Sequence, residues 1–171
     1  MDAFEIIKDR RSVKKYTDKP VPRELIEKVC RAGTWAATGM GRQSPIILAV
    51  TNKEVRDKLS EINAEVMGAK NDPFYGAPVV LVVLANKAMP TAIYDGSLVM
   101  GNMMIEAESL GLGSCWIHRA REVFDSEEGK ELKKQWGVPE EYIGVGHCVL
   151  GYRDCEYPTA KPRKDGFVIR V

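Results

Sequence analysis

Pro78-Val79-Val80-Leu81-Val82-Val83-Leu84-Ala85 is eight residues without one polar side chain, four of them β-branched valines. A strand with one wet face alternates apolar and polar residues, whereas a strand covered on both faces reads as a continuous apolar run. This run therefore calls for a central strand with helices above and below it, and so for a layered fold. The apolar stretch, extended to Ala77, is too short to cross a bilayer and carries Pro78 near its start.

The neighbouring segments supply the layers. Ala3, Phe4, Ile6 and Ile7 give a short amphipathic helix that runs into a basic turn. Leu25, Ile26, Val29 and Cys30 mark a second helix, started by Pro20 and Pro22. Residues 46–51 read as a strand, and Val55, Leu59, Ile62 and Val66 line one face of a third helix. From about Thr91 to Leu110 runs a long helix that is apolar on most sides, ended by Gly111. Such a helix belongs in the core, in a subunit interface, or in both. Residues 113–117 give a short strand, and Asp125 with Glu128 resembles a capping box that opens a further helix. Gly137 and Pro139 close that helix, and residues 142–150 give the last strand. The expectation is one domain over residues 1–171, α+β, with a small, mostly antiparallel sheet flanked by helices. The tail from about 152 has little periodicity but ends Phe167-Val168-Ile169-Arg170-Val171, so it is expected to pack on the core or on a partner subunit.

The 171 residues hold 25 Lys+Arg against 24 Asp+Glu, a formal net charge of +1. That balance offers no general attraction to nucleic acid, and 44% hydrophobic content argues against disorder. The N-terminal residues lack the apolar core of a signal peptide. The four cysteines, at 30, 115, 148 and 155, form no CxxC pair. A cytoplasmic protein with free thiols is expected, with no membrane or nucleic-acid partner.

Local chemistry concentrates in few places. Lys8, Arg10, Arg11, Ser12, Lys14 and Lys15 put five cations and a hydroxyl just after a short helix. Arginine forks, lysine point charges and a serine hydroxyl suit a phosphate, although cations also suit a helix C-terminus. A second basic cluster, Lys161, Arg163 and Lys164, lies in the tail, and the two clusters are able to converge on one anion. Gly111-Leu112-Gly113 lacks a third glycine and lies between a helix and a strand, the reverse of a dinucleotide fingerprint. Gly144-Val145-Gly146 lies inside a strand, and no GxxxxGK followed by Ser or Thr occurs. Only two histidines are present, so no metal site and no Cys–His nucleophile pair are expected; Cys30, Cys115 and Cys148 read as buried small hydrophobes. Between the second helix and the first strand, residues 36–45 are small and flexible enough to let backbone approach a flat ligand, with Arg42 and Gln43 at its edge.

Taken in order, these pieces resemble the FMN-dependent nitroreductase family over nearly the whole chain. Arg10-Arg11-Ser12-Val13-Lys14 is similar to its phosphate motif, and Thr38 to Pro45 to its serine-x-x-asparagine-x-glutamine-proline loop. The run Glu106 to Ile117 resembles its helix-to-strand segment, and Gly151-Tyr152 followed by Lys161-Pro162-Arg163 its closing strand and basic tail. The resemblance implies an α+β sandwich that binds FMN at a homodimer interface. It implies hydride transfer from NADH or NADPH, through the flavin, to a small flat acceptor such as a nitroaromatic or a quinone.

It also implies roles for individual residues. Arg10, Ser12 and Arg163 would hold the phosphate, with Lys161 nearby. Lys14 would lie by the pyrimidine edge and stabilise charge there. The partner subunit would contribute the loop at 37–41, with Ala37, Thr38, Gly39 and Gly41, and Arg11 and Gln43 would also belong to the cofactor site. Trp116, Ile117, His118 and Arg119 would line the ring, with backbone donors near His118 and Arg119 facing the reactive nitrogen N5. Ala37, Thr38 and Gly41 stand where the family's usual proline, serine and asparagine would be. Loss of the asparagine amide bears on the acceptor more than on FMN. Other readings are a flavin enzyme of the same fold with another acceptor, such as a reductive dehalogenase, and a non-catalytic module that binds anions or nucleic acid through the basic segments. No dedicated nucleophile is needed if a flavin carries the chemistry.

Overall fold

The computed structural model describes residues 2–171. In chain order the elements are α1 (Ala3–Asp9), α2 (Arg23–Thr34), β1 (Ile46–Val50), α3 (Lys53–Met67), β2 (Val79–Asn86), α4 (Ala92–Ser109), β3 (Gly113–Ile117), α5 (Ala120–Asp125), α6 (Glu127–Gln135) and β4 (Tyr142–Gly151). A single 3₁₀ turn spans Gly39–Gly41. The strands form one antiparallel sheet in the order β1-β2-β4-β3.

β2 is the covered strand its sequence demands. Val80, Val82 and Leu84 face a core shared with Val13, Leu59, Ile62, Phe74 and Phe124. Val79, Leu81, Val83 and Ala85 face a second core with Val29, Met100 and Met103. Each buried valine or leucine contributes roughly 1.5–3 kcal/mol, so this strand ties both layers together. α3 and α5 cover the first face, and α2 and α4 cover the second. The side chain of Asn52 caps α3 by accepting the Val55 N–H at 3.0 Å, and Gly68 ends it in the left-handed region.

Gly144 and Gly146 of β4 make room for neighbours. A Cβ on Gly144 would lie 2.0 Å from the Ala120 carbonyl oxygen, and one on Gly146 would lie 2.8 Å from the Trp116 indole. A register shift between Val83 and Leu84 accompanies them. Their purpose is close packing, in line with the absence of a dinucleotide fingerprint.

One sequence expectation is corrected. α5 is an additional short helix that ends at Asp125, so the cap of α6 is one residue later: Ser126 accepts the Gly129 N–H at 3.1 Å. α4 is apolar on most sides, as expected: Val99, Met100, Met103 and Ala107 are buried in the core, while the apolar Ile93, Tyr94 and Leu98 are exposed.

Candidate functional site

The basic segment follows α1 and runs extended beside β3. Ser12 pairs with Ser114 in an isolated parallel bridge, and the Val13 N–H donates to the Ser114 carbonyl at 3.0 Å. Val13 and Tyr16 turn into the core, while Ser12 and Lys14 stay exposed. Ser12, Lys14 and Arg10 all act on the Cys115 thiol: burial pushes that thiol up, and the Ser12 hydroxyl with the charges of Lys14 and Arg10 opposes the shift. Three of the expected anion-binding groups thus lie on the one segment that runs beside β3.

Arg11 does not join them. Its guanidinium donates to the carbonyls of Lys8 at 2.6 Å, Arg10 at 2.9 Å and Pro158 at 3.0 Å. Arg11 ties the tail to the start of the chain.

Lys14 Nζ lies 5.7 Å from the centre of the Tyr75 ring. Tyr75 stands in the left-handed region at φ +55°. The turn that holds it is fixed by Asp72, which accepts the N–H groups of Phe74 at 2.8 Å and Gly76 at 2.7 Å. Arg56 and Ser60 also donate to Asp72. Burial pushes the Asp72 carboxyl up, but these donors outweigh it and hold the group below its ordinary value.

At the far end of β3 the chain turns through His118 and Arg119. Arg119 is left-handed, at φ +73° and ψ +14°. Asn63 of α3, fully buried, donates to the His118 carbonyl at 3.0 Å and accepts from Arg119 Nε at 3.2 Å. Trp116 is half-buried, Ile117 buried and His118 exposed. Beneath this turn lies His147, fully buried between Phe74 at 5.2 Å and Phe124 at 6.1 Å between ring centres. Neither of its ring nitrogens meets a hydrogen-bond partner. Burial pushes its imidazole down to about 4; the nearby backbone of Ile117 and His118 opposes the shift and the charge of Arg119 adds to it.

The loop expected to touch a flat ligand sits on the other side of the sheet. Met40, Gly41 and Gln43 all have positive φ, at +53°, +64° and +49°. The Gln43 N–H donates to Thr38 Oγ1 at 3.1 Å, and the Gly39 N–H donates to Asp95 Oδ1 at 3.0 Å. Thr91 donates to the other Asp95 oxygen at 3.0 Å. A Cβ at Gly39 would lie 2.4 Å from Thr91 Oγ1, so only glycine permits this approach. Thr38 and Gln43, with Cys30, Thr34, Ile47 and Val99, line a cleft of about 420 Å³. Ala37 is exposed beside it. Among the described residues, no hydrogen bond or ion pair joins this loop to Arg10, Ser12 or Lys14.

The tail is held only as far as Pro158. Arg153 lies 4.3 Å from the Tyr157 ring centre, the Tyr157 hydroxyl donates to Glu108, and Arg11 holds the Pro158 carbonyl. All residues from 158 onward are exposed, and Arg163 donates to the Lys161 carbonyl at 2.7 Å. Within one chain, then, Lys161 and Arg163 are not brought to Arg10, and packing on the core stops short of the apolar terminus.

Sequence reasoning missed Asn63, Asp95, Tyr75 and Asp72. Asn63 and Asp95 did carry a signal: each is a polar residue on an otherwise apolar helical stripe, Asn63 four positions after Leu59 and Asp95 four before Val99. Nothing in the local pattern marked Tyr75 or Asp72.

Residues 7–152 match the family described as the Nitroreductase family. A protein of Methanothermobacter thermautotrophicus named for NADH dehydrogenase/NAD(P)H nitroreductase activity is 30% identical over 89% of this chain and 78% of its own length. The FMN reductase (NAD(P)H) of Bacillus subtilis is 27% identical over 93% of this chain and 70% of its own. The crystal structure of a Bacteroides fragilis nitroreductase with bound FMN superposes with a TM-score of 0.89 at 27% identity, over 100% of this chain and 99% of that one.

Proposed function

The chain belongs to the nitroreductase family, and from that membership and its site we infer that it is an NAD(P)H-dependent FMN oxidoreductase. When bound, the flavin supplies the two-electron chemistry, taking hydride from NAD(P)H and passing the electrons to a small flat acceptor such as a nitroaromatic or a quinone.

The carrying observation is that Arg10, Ser12 and Lys14 share one extended segment that pairs with β3 at Ser12–Ser114 and leaves Ser12 and Lys14 exposed. This donor set fits the ligand: a planar guanidinium and a hydroxyl suit a phosphate monoester, and an ammonium suits a polar ring edge. From Ser114 to His118 the chain advances four residues, about 13 Å in extended form. That length would let an elongated cofactor lie along β3, where Arg10 and Ser12 would hold its phosphate and Trp116, Ile117, His118 and Arg119 would line its ring. Lys14, with Tyr75 beside it, would stabilise charge at the pyrimidine edge. The family relationship supports this placement, and Arg11 takes no part in it.

A second copy of the chain completes the site in this reading. The loop with Ala37, Thr38, Gly39, Gly41 and Gln43 lies away from the basic segment, as a contribution to the partner's flavin requires. Exposed apolar side chains supply the contact: Trp35 at 78%, Met40 at 82% and Tyr94 at 72% of their full area. Lys161 and Arg163 reach a phosphate once the tail ending at Val171 packs against the assembled dimer. No helix among the described residues is long and apolar enough to cross a membrane.

The purified protein is expected to be yellow, to bleach with NADH or NADPH under anaerobic conditions, and to regain its colour when a quinone or nitroaromatic is added. An apoprotein that takes up no FMN, or a colourless protein that binds RNA with a steep salt dependence, would overturn this reading. Sedimentation of the flavin-loaded protein as a monomer would overturn the dimer.

A further inference from the structure

The turn at His118–Arg119 is over-determined, and Asn63 is the reason. A buried carboxamide left unpaired costs about 1–3 kcal/mol, so a fully buried asparagine in an apolar helix face needs partners. Asn63 finds two, the His118 carbonyl and the Arg119 guanidinium, both on the same short turn.

The geometry of the peptide then follows. No peptide bond in the described chain is cis. In a trans peptide the carbonyl and the N–H point in opposite directions. With the His118 carbonyl drawn inward to α3, the Arg119 N–H points outward, away from the core. Among the described residues neither the His118 nor the Arg119 N–H meets an acceptor. Arg119 also holds a left-handed conformation, which costs a non-glycine residue about 1–2 kcal/mol. Strain of this kind persists only where surrounding contacts impose it; here they are the start of α5, whose Val123 N–H donates to the Arg119 carbonyl, and the Asn63 amide, bonded on both sides of the peptide.

We propose that Asn63 is a positioning residue: it locks the His118–Arg119 peptide so that the Arg119 N–H is aimed at the redox-active edge of the bound flavin, governing hydride transfer and not cofactor affinity. The proposal rests on the flavin reading given above. Asn63 does not touch the ligand; it acts through a backbone donor whose direction it fixes before the ligand arrives.

The test uses full-length protein loaded with FMN labelled with ¹⁵N at N5. Asn63→Asp keeps an acceptor for Arg119 but sets a carboxylate against the His118 carbonyl, which frees the peptide to rotate. The variant is expected to bind FMN within about threefold of wild type, because the phosphate grip is untouched. Its N5 resonance is expected to move, and flavin reduction by NAD(P)H in a single turnover to slow by about tenfold or more, with little change in KM. A folded variant that holds flavin with its N5 resonance and reduction rate unchanged overturns the proposal. A measurement on wild-type protein does not depend on the variant's folding: hydrogen exchange at the Arg119 amide is expected to slow on addition of FMN, and an unchanged exchange rate overturns the proposal alone. Wild-type protein that takes up no FMN overturns the flavin reading itself, and this inference with it.

Discussion

Asp95 accepts the Gly39 N–H at 3.0 Å, joining positions 56 residues apart in the chain. The carboxylate is nearly fully buried, and its second oxygen is engaged by Thr91. It fixes the start of a loop in which three residues have positive φ, so the loop's shape is imposed from α4 and not chosen by its own sequence. Asp95→Ala is expected to lower stability by about 1.5–3 kcal/mol, the range for a hydrogen bond to a charged group, and to weaken FMN binding through loss of loop shape. Asp95→Asn retains an acceptor and should do less of both. Urea unfolding and FMN titration read the two effects; an alanine variant equal to wild type in both would show that the loop holds its shape unaided.

Arg10 and Arg11 are adjacent and chemically identical, yet the structure separates their roles. Arg11 serves three carbonyls, including that of Pro158 in the tail. Arg10→Ala is expected to weaken FMN binding by about 10- to 150-fold, equivalent to roughly 1.5–3 kcal/mol. Arg11→Ala should leave FMN affinity near wild type but release the tail, making the bonds beyond Tyr152 more sensitive to limited proteolysis. The reverse pattern would return Arg11 to the phosphate.

This pair marks where sequence reading stops. The covered strand β2 was legible because eight consecutive apolar residues have only one comfortable setting. The order of helices and strands was legible from periodicity, and α4 was placed within a residue at each end. The one-residue slip at Ser126 arose because Asp125 and Ser126 both make good caps, and only the packing of α5 decides between them. Which of two neighbouring arginines faces a ligand depends on where the tail returns, a tertiary fact with no local trace. The same holds for Tyr75, whose approach to Lys14 follows from the Asp72 turn.

Lys14 and Tyr75 form the next testable pair. An ammonium beside the pyrimidine edge favours the two-electron-reduced flavin, since a unit charge a few ångströms away is worth several kcal/mol at an effective dielectric near 20. Lys14→Met is expected to lower the two-electron potential by roughly 30–60 mV, taking about 30 mV as 1.4 kcal/mol, and to slow reduction by NAD(P)H. Tyr75→Leu removes the ring face that steadies the ammonium and should lower the potential by a smaller amount. Redox titration against a reference dye measures both. An unchanged potential in the lysine variant would remove Lys14 from the flavin.

His147 is expected to set the acid limit of stability. Burial between Phe74 and Phe124 holds it neutral in the native state, down to about 4, against an ordinary value of 6.5. The unfolded chain takes up a proton below about 6.5, while the native chain does not. The unfolded state therefore binds more protons as pH falls from 6.5 towards 4, and stability is lost across that window. Below about 4 the native imidazole also charges and the loss levels off. The total is about 3 kcal/mol, of which about 2 kcal/mol is lost by pH 5. His147→Phe places a ring of similar size in the same aromatic surroundings and removes two buried nitrogens without partners. The variant is expected to be at least as stable as wild type at pH 7.5 and clearly more stable at pH 5, with the gap read from urea midpoints. An identical pH dependence in the two proteins would mean that the acid limit comes from the carboxylates, Asp72 first among them, and not from this imidazole.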